Sequence, residues 1–233
     1  MHLDLFRPPQ VLIGCERSGI VRDAFLRRGF DAWSCDLEAD ERGSNRHIRC
    51  DIREILGDGW DLLIVAHPPC TRLCNSGVRW LHVPPPGRSR DEMWAELEEG
   101  AALFSDCWNA PIEHVAVENP IMHQHARKLI KGYEPPAQIV QPHQFGDPQF
   151  KATGLYLRKL RPLTPTRRLD VPERGTAAWK RWNRVHRMPP GPNRAQERSR
   201  FFPGIADAMA EQWGDQVLAA ANCAPAEAEA VAA

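Results

Sequence analysis

The run Asp61-Leu-Leu-Ile-Val-Ala-His-Pro-Pro-Cys70 limits the choice of fold more than any other stretch of the chain. An unbroken apolar run, bounded by an acid and by prolines, fits a strand buried on both faces, as inside a parallel sheet. Pro68 and Pro69 each fix a backbone angle and remove an amide donor, so the chain leaves the sheet stiffly and presents Cys70 just past the strand's carboxyl end. Open α/β sheets bind ligands at that edge. A cysteine is by default a small buried hydrophobe; the remaining sequence gives reason to read this one differently.

Val11 to Gly14 reads as a first strand and Ser18 to Arg28 as a helix, with Ile20, Val21, Ala24 and Phe25 on one face and Ser18 as its cap. Between them, Gly14-Cys-Glu-Arg-Ser-Gly19 is a glycine-bracketed turn that lets a ligand approach the backbone and a helix amino terminus. Phe30 to Asp36 is a second strand ending in an acid, about 20 residues after the turn, which suits the ribose hydroxyls of a nucleotide in a βαβ unit. A short strand around His47 to Cys50 ends at Asp51, and the proline- and glycine-rich Thr71 to Arg90 reads as a long loop. Asp91 to Asn109 is helical, with Trp94, Leu97, Ala101, Phe104 and Trp108 on a core-facing stripe.

His114-Val-Ala-Val-Glu118-Asn-Pro120 repeats the pattern of a buried strand followed by polar groups and a proline, which places a second functional acid at the same edge. His123 and His125 are two apart on the next helix and point to different faces, so no shared metal is expected, nor at Cys70 and Cys74, which lack a second ligand pair. Gln138 to Gln141 is a short strand, Phe145 to Lys151 a turn, and Gly154 to Leu160 an alternating strand. The pattern closes with an amphipathic helix from Pro203.

The 233 residues, 42% of them hydrophobic, support one main domain. We divide it into a core over 1–160, a basic segment over 161–200, a closing helix over 201–220 and a flexible tail over 221–233. Seven irregularly spaced cysteines and the lack of an apolar leader in Met1 to Gln10 predict free thiols and a cytoplasmic protein. No apolar run approaches the ~18 residues that cross a bilayer, and a monomer is expected. The net charge of zero conceals an asymmetry: residues 151–200 hold 14 Lys and Arg against 3 acids, whereas residues 1–150 hold 16 against 22. Trp179, Lys180, Arg181, Trp182 and Arg184 in this block, joined by Arg72, have the charge and aromatic content of a nucleic-acid surface.

With the Gly14 to Gly19 turn, Asp36, Pro68-Pro69-Cys70, Glu118-Asn119-Pro120 and Phe145-Gly146-x-Pro148-Gln149-x-Lys151 in this order, the chain resembles the DNA cytosine-5 methyltransferases over residues 11 to about 160. The resemblance implies an α/β, Rossmann-like sheet with helices on both faces that binds S-adenosylmethionine, and DNA as the partner. It implies Cys70 as the nucleophile at cytosine carbon 6, Glu118 assisting at ring nitrogen 3, and Lys151 in the place of the family's first arginine of Gln-x-Arg-x-Arg. Pro69, Asn119, Pro120 and Gln149 would hold the base. Gly14, Cys15, Glu16, Gly19, Asp36, Leu37, Asp51, Ile52, His67 and Pro68 would contact the cofactor, Asp36 at the ribose and Asp51 at the adenine amine.

Several positions depart from the family. Ala66-His67 replaces the usual Gly-Gly before Pro-Pro-Cys, Thr71 the following glutamine, and Thr153 the second arginine; Glu16 and Arg17 interrupt the glycine turn. His67 or Arg17 could read a carboxylated variant of S-adenosylmethionine, which gives hypermodification of DNA as an alternative. A catalytically silent DNA-binding module on the same fold is another. An exocyclic-amine methyltransferase is disfavoured, since amine attack needs neither Cys70 nor Glu118. No full target-recognition domain fits between the last strand and the closing helix, which predicts relaxed sequence specificity.

Overall fold

The computed structural model describes residues 7–189, 191 and 200–223. Its strands are β1 (Gln10–Gly14), β2 (Asp31–Asp36), β3 (His47–Arg49), β4 (Leu62–Val65), β5 (His114–Asn119), β6 (Gln138–Val140) and β7 (Thr153–Arg158). They form one sheet in the order β3-β2-β1-β4-β5-β7-β6. The first five are mutually parallel, and β7 runs antiparallel to both β5 and β6. The helices are α1 (Ile20–Arg27), α2 (Arg90–Trp108), α3 (Gln124–Leu129), α4 (Ala177–Trp182), α5 (Arg184–Arg187) and α6 (Pro203–Cys223).

The architecture is α/β and Rossmann-like. Strand alternation explains the layers: Val11, Ile13, Leu62 and Ile64 face one core, shared with Phe25 of α1 and Met209 and Trp213 of α6. Leu12, Leu63 and Val65 face the other, with Leu97, Ala101 and Phe104 of α2. Each such buried side chain contributes about 1.5–3 kcal/mol. The strand order reverses between β1 and β4, so the crevice at their carboxyl ends is the position where such sheets bind ligands.

Three elements differ from expectation. The Thr71 to Arg90 stretch contains a 3-10 turn at Val78–Leu81, because the fully buried Leu81 anchors it beneath Trp94, whose indole donates to the Leu81 carbonyl at 3.2 Å. Helix α1 starts at Ile20 rather than Ser18, because the Glu16 carboxylate caps it, accepting from the Val21 and Arg22 amides at 2.8 and 3.2 Å. Helix α6 runs to Cys223, past the expected end at 220; residues 224–233 of the expected tail lie outside the described residues, as do 190 and 192–199 of the basic segment. Among the described residues no helix is long and apolar enough to cross a membrane.

Candidate active site

Two adjacent strand ends bring Cys70, Glu118 and Asn119 to one edge of the sheet. Strand β4 is buried throughout, and the chain beyond it passes through Ala66 and half-buried His67, then buried Pro68, to a partly exposed Cys70. Strand β5 pairs with β4 and carries Glu118 and Asn119 at its end, 6% and 0% exposed. Strand β7 then pairs antiparallel with β5, setting Asn119 opposite Gly154. A side chain at Gly154 would come within 2.7 Å of the Asn119 carbonyl, so glycine is what lets these strands close up here. Thr153, next to this pairing, lies near Glu118, and Lys151 is close enough for its charge to act on both Cys70 and Glu118.

The electrostatics follow from that convergence. Burial, reinforced by the charge of Glu118 and opposed by Lys151, pushes the Cys70 thiol up to about 12. Burial also raises the Glu118 carboxyl, against the opposing effects of the Lys151 charge and the nearby Thr153 side chain. Burial, with Lys151 adding to it, holds His67 well below its ordinary value and therefore neutral. The His67 Nε2 and Asn119 Oδ1 atoms are buried with no hydrogen-bond partner among the described residues. Buried polar atoms ordinarily find partners, so two such atoms beside a reactive cluster are open to a ligand. Phe201 and Phe202 wall the cluster: the His67 ring lies 5.5 Å from Phe201, and Lys151 Nζ sits 5.7 Å above the Phe202 ring.

A cavity of about 660 Å³ opens beside this cluster at the ends of β1 to β3, lined among others by Cys15, Asp36, Leu37, Asp51, Ile52 and His67. Its size lies within the ~300–1,000 Å³ range of small-molecule sites. Cys15 has φ 53°, a left-handed conformation that a residue with a Cβ adopts at a cost of about 1–2 kcal/mol. Asp36 ends β2 at the cavity wall, its pKa raised by burial against the pull of His47 and Arg17. Asp51 is held ionised chiefly by Arg53, whose Nη2 donates to it at 2.6 Å. Pro69 also lines this cavity. Gly14 is buried beneath Ile52, whose Cδ1 occupies the space a Cβ would need.

Other site residues fall elsewhere than expected. Glu16, expected to contact a cofactor, is fully buried with its carboxylate turned onto α1 and the Ser18 hydroxyl. Gly19, at the head of the same helix, packs against the Arg22 guanidinium. Arg72, expected on a DNA surface, turns toward α2 and pairs with Glu96 at 2.7 Å in the cavity wall. Trp179 and Trp182, expected to stack on bases, are half-buried against Phe150 at 6.2 and 5.3 Å, and Trp182 stacks on His143. Their role in this structure is to fix the basic segment beside Gln149 and Lys151, helped by the Phe150 amide donating to the Trp182 carbonyl at 3.0 Å. Pro120 and Gln149 remain half-buried beside the cluster.

The basic segment carries Arg167, Arg168, Arg174, Lys180, Arg181, Arg184 and Arg187 exposed, and among the described residues none of these forms an ion pair. Most arginines of the core are paired, as Arg22 with Asp40 and Arg53 with Asp51. Sequence reasoning missed Thr153, Phe201, Phe202, and the facing thiols of Cys35 and Cys50, 3.7 Å apart in the cavity wall. The signal for Thr153 was its position, where the family has an arginine; the two phenylalanines stand next to a proline that starts a helix and left no signal of their own.

No family model matches the chain, and no curated protein does. Among solved structures, one from E. coli, described as a candidate DNA modification methyltransferase encoded within a prophage, has a TM-score of 0.42 and 19% identity over 64% of this chain. The chain covers 46% of that structure's length. The architecture assigned above rests on strand order and register.

Proposed function

We propose that this chain is a DNA cytosine-5 methyltransferase using S-adenosylmethionine. The observation that carries the reading is the convergence of Cys70, Glu118 and Lys151 beside the 660 Å³ cavity. The motif order in the sequence supports the same reading.

The donor set fits an adenosyl group: Asp36 at the end of β2 can accept from ribose hydroxyls, and ionised Asp51 with Ile52 can meet an adenine edge. Bound there, the donor supplies one methyl group to carbon 5. Cys70 loses its proton to solvent and adds through sulfur to cytosine carbon 6, displacing the ring π electrons toward carbon 5 and nitrogen 3. Glu118 in its protonated form donates at nitrogen 3, and Lys151 offsets the negative charge that develops. After transfer, which would leave the donor as its neutral thioether, the carbon 5 proton leaves to water, the sulfur–carbon 6 bond breaks to restore the double bond and the thiolate, and nitrogen 3 returns its proton to Glu118. Asn119 offers its unpartnered Oδ1 to the base. A base reaches this pocket only when extruded or single-stranded, and the exposed cations of the basic segment would hold the phosphates.

Two features favour the plain donor over a carboxylated one. Arg17 pairs with Glu38 and Glu41, and His67 is neutral, so neither offers a free cation to a carboxylate. Incubation with DNA containing 5-fluorocytosine tests the proposal, because fluorine at carbon 5 cannot leave as a proton. A donor-dependent, denaturation-resistant adduct at Cys70 is expected; its absence, with methylation still proceeding on ordinary DNA, would overturn the covalent route.

A further inference from the structure

The loop that carries Cys70 is stitched to the segment that follows Glu118. The Asn75 amide donates to the Ile121 carbonyl at 3.2 Å, the His123 amide donates to the Leu73 carbonyl at 3.0 Å, and Cys74 and Met122 form a short antiparallel bridge between them. One side chain joins this seam. His123 is 4% exposed and caps α3, its Nδ1 accepting from the Ala126 amide at 3.2 Å. A ring nitrogen that accepts an amide proton carries none itself, so the neutral ring holds its proton on Nε2. That Nε2 lies 2.6 Å from the Arg72 carbonyl, two residues beyond Cys70, and donates to it. The Arg72 side chain meanwhile points away, to Glu96 at 2.7 Å.

We infer that His123 is a positioning residue: its imidazole clamps the Cys70 loop in register with Glu118. The inference rests on the proposed roles of Cys70 and Glu118. Pro68 and Pro69 stiffen the loop where it leaves β4, and His123 fixes its far side, so the thiol is held from both directions. The ring does so while keyed into α3, whose Ala126 is fully buried in the core. Reacting groups tolerate little misplacement, which is why a clamp outside the chemistry affects the rate.

His123→Asn separates the two roles. Asparagine caps a helix about as well as any residue, but a side chain turned to that cap leaves the Arg72 carbonyl without its donor. Two readouts are taken on the full chain. The first is the rate of Cys70 alkylation by iodoacetamide, followed by peptide mass spectrometry; the second is kcat and the donor KM for methyl transfer to DNA. In His123→Asn, alkylation is expected to rise about fivefold, the weight of one net hydrogen bond, while kcat falls by more than the donor KM rises, since Asp36 and Asp51 hold the donor from other elements and only Pro69, Thr71 and Arg72 of the loop line its cavity. His123→Gln, whose longer amide can reach the Arg72 carbonyl, should recover toward wild type in both, even if its capping is poorer. Alkylation and kcat unchanged in His123→Asn, or no recovery in His123→Gln relative to it, would overturn the clamp. If the wild-type chain transfers no methyl group, the functional reading fails, and alkylation still decides whether the clamp exists.

Discussion

Glu118, buried at the end of β5, lies within reach of the Lys151 charge, which favours its ionised form and opposes the effect of burial. Because burial raises the Glu118 pKa, the folded chain binds this proton more tightly than the unfolded chain does. Stability linked to Glu118 is therefore fully present below the unfolded carboxyl pKa, falls as pH rises through the folded pKa, and stays lower beyond it.

Glu118→Gln removes that loss. Its thermal midpoint should exceed the wild type's at mildly alkaline pH and match it in acid, as read by calorimetry across pH. The same substitution should lower methyl transfer by about 10²–10⁴-fold, the usual contribution of a general acid or base. Equal midpoints at all pH values would contradict a Glu118 pKa raised by burial.

The Cys70 thiol, at about 12, is almost wholly protonated at neutral pH in the free protein. Its alkylation should be slow near neutrality and still be accelerating with pH beyond the range where an ordinary cysteine levels off, about 8.5. Glu118→Gln removes a charge that raises this pKa, so alkylation at a fixed pH should become faster. An alkylation profile that levels off near the ordinary value would contradict this electrostatic picture.

Glu16 serves helix α1 rather than a cofactor. Glu16→Ala should destabilise the fold by about 0.5–2 kcal/mol, the range for a lost helix cap, with donor affinity by calorimetry unchanged. Asp36→Ala should do the reverse, weakening donor binding while leaving the thermal midpoint near wild type.

In the basic segment the tryptophans act as anchors, and the exposed cations are proposed to meet phosphate. Trp182→Ala removes stacking on His143 and a tilted ring contact with Phe150, and should lower both stability and DNA affinity. Replacing Lys180, Arg181 and Arg184 by Ala should leave stability unchanged and weaken DNA binding across all sequences. The slope of log affinity against log salt should fall by about 0.9 for each lost phosphate contact. Loss of discrimination between sequences, with the salt slope intact, would contradict a phosphate-binding role.

The strands that build the sheet were legible because burial on both faces leaves a continuous apolar signature, as at Leu62 to Ala66, and prolines mark where it ends. The order of Pro68-Pro69-Cys70 and Glu118-Asn119-Pro120 pointed to one sheet edge, and parallel pairing of β4 with β5 brings them there. What sequence could not convey was partner choice. A carboxylate in a glycine turn reads as a ligand contact, yet Glu16 finds two amides of its own helix. A tryptophan among cations reads as a stacking surface, yet the Phe150 ring, distant along the chain, occupies Trp182. Arg72 is likewise claimed by Glu96, on a helix that begins 18 residues later. Such competition among long-range polar and aromatic partners is settled only by tertiary packing.

The most direct test of the central claim is mass spectrometry of nucleosides from DNA incubated with the protein and S-adenosylmethionine, with Cys70→Ala alongside. Cytidine heavier by one methyl group at carbon 5 is expected from the wild type and not from the variant. Methylation at an exocyclic amine, or a carbon 5 product that persists in Cys70→Ala, would contradict it.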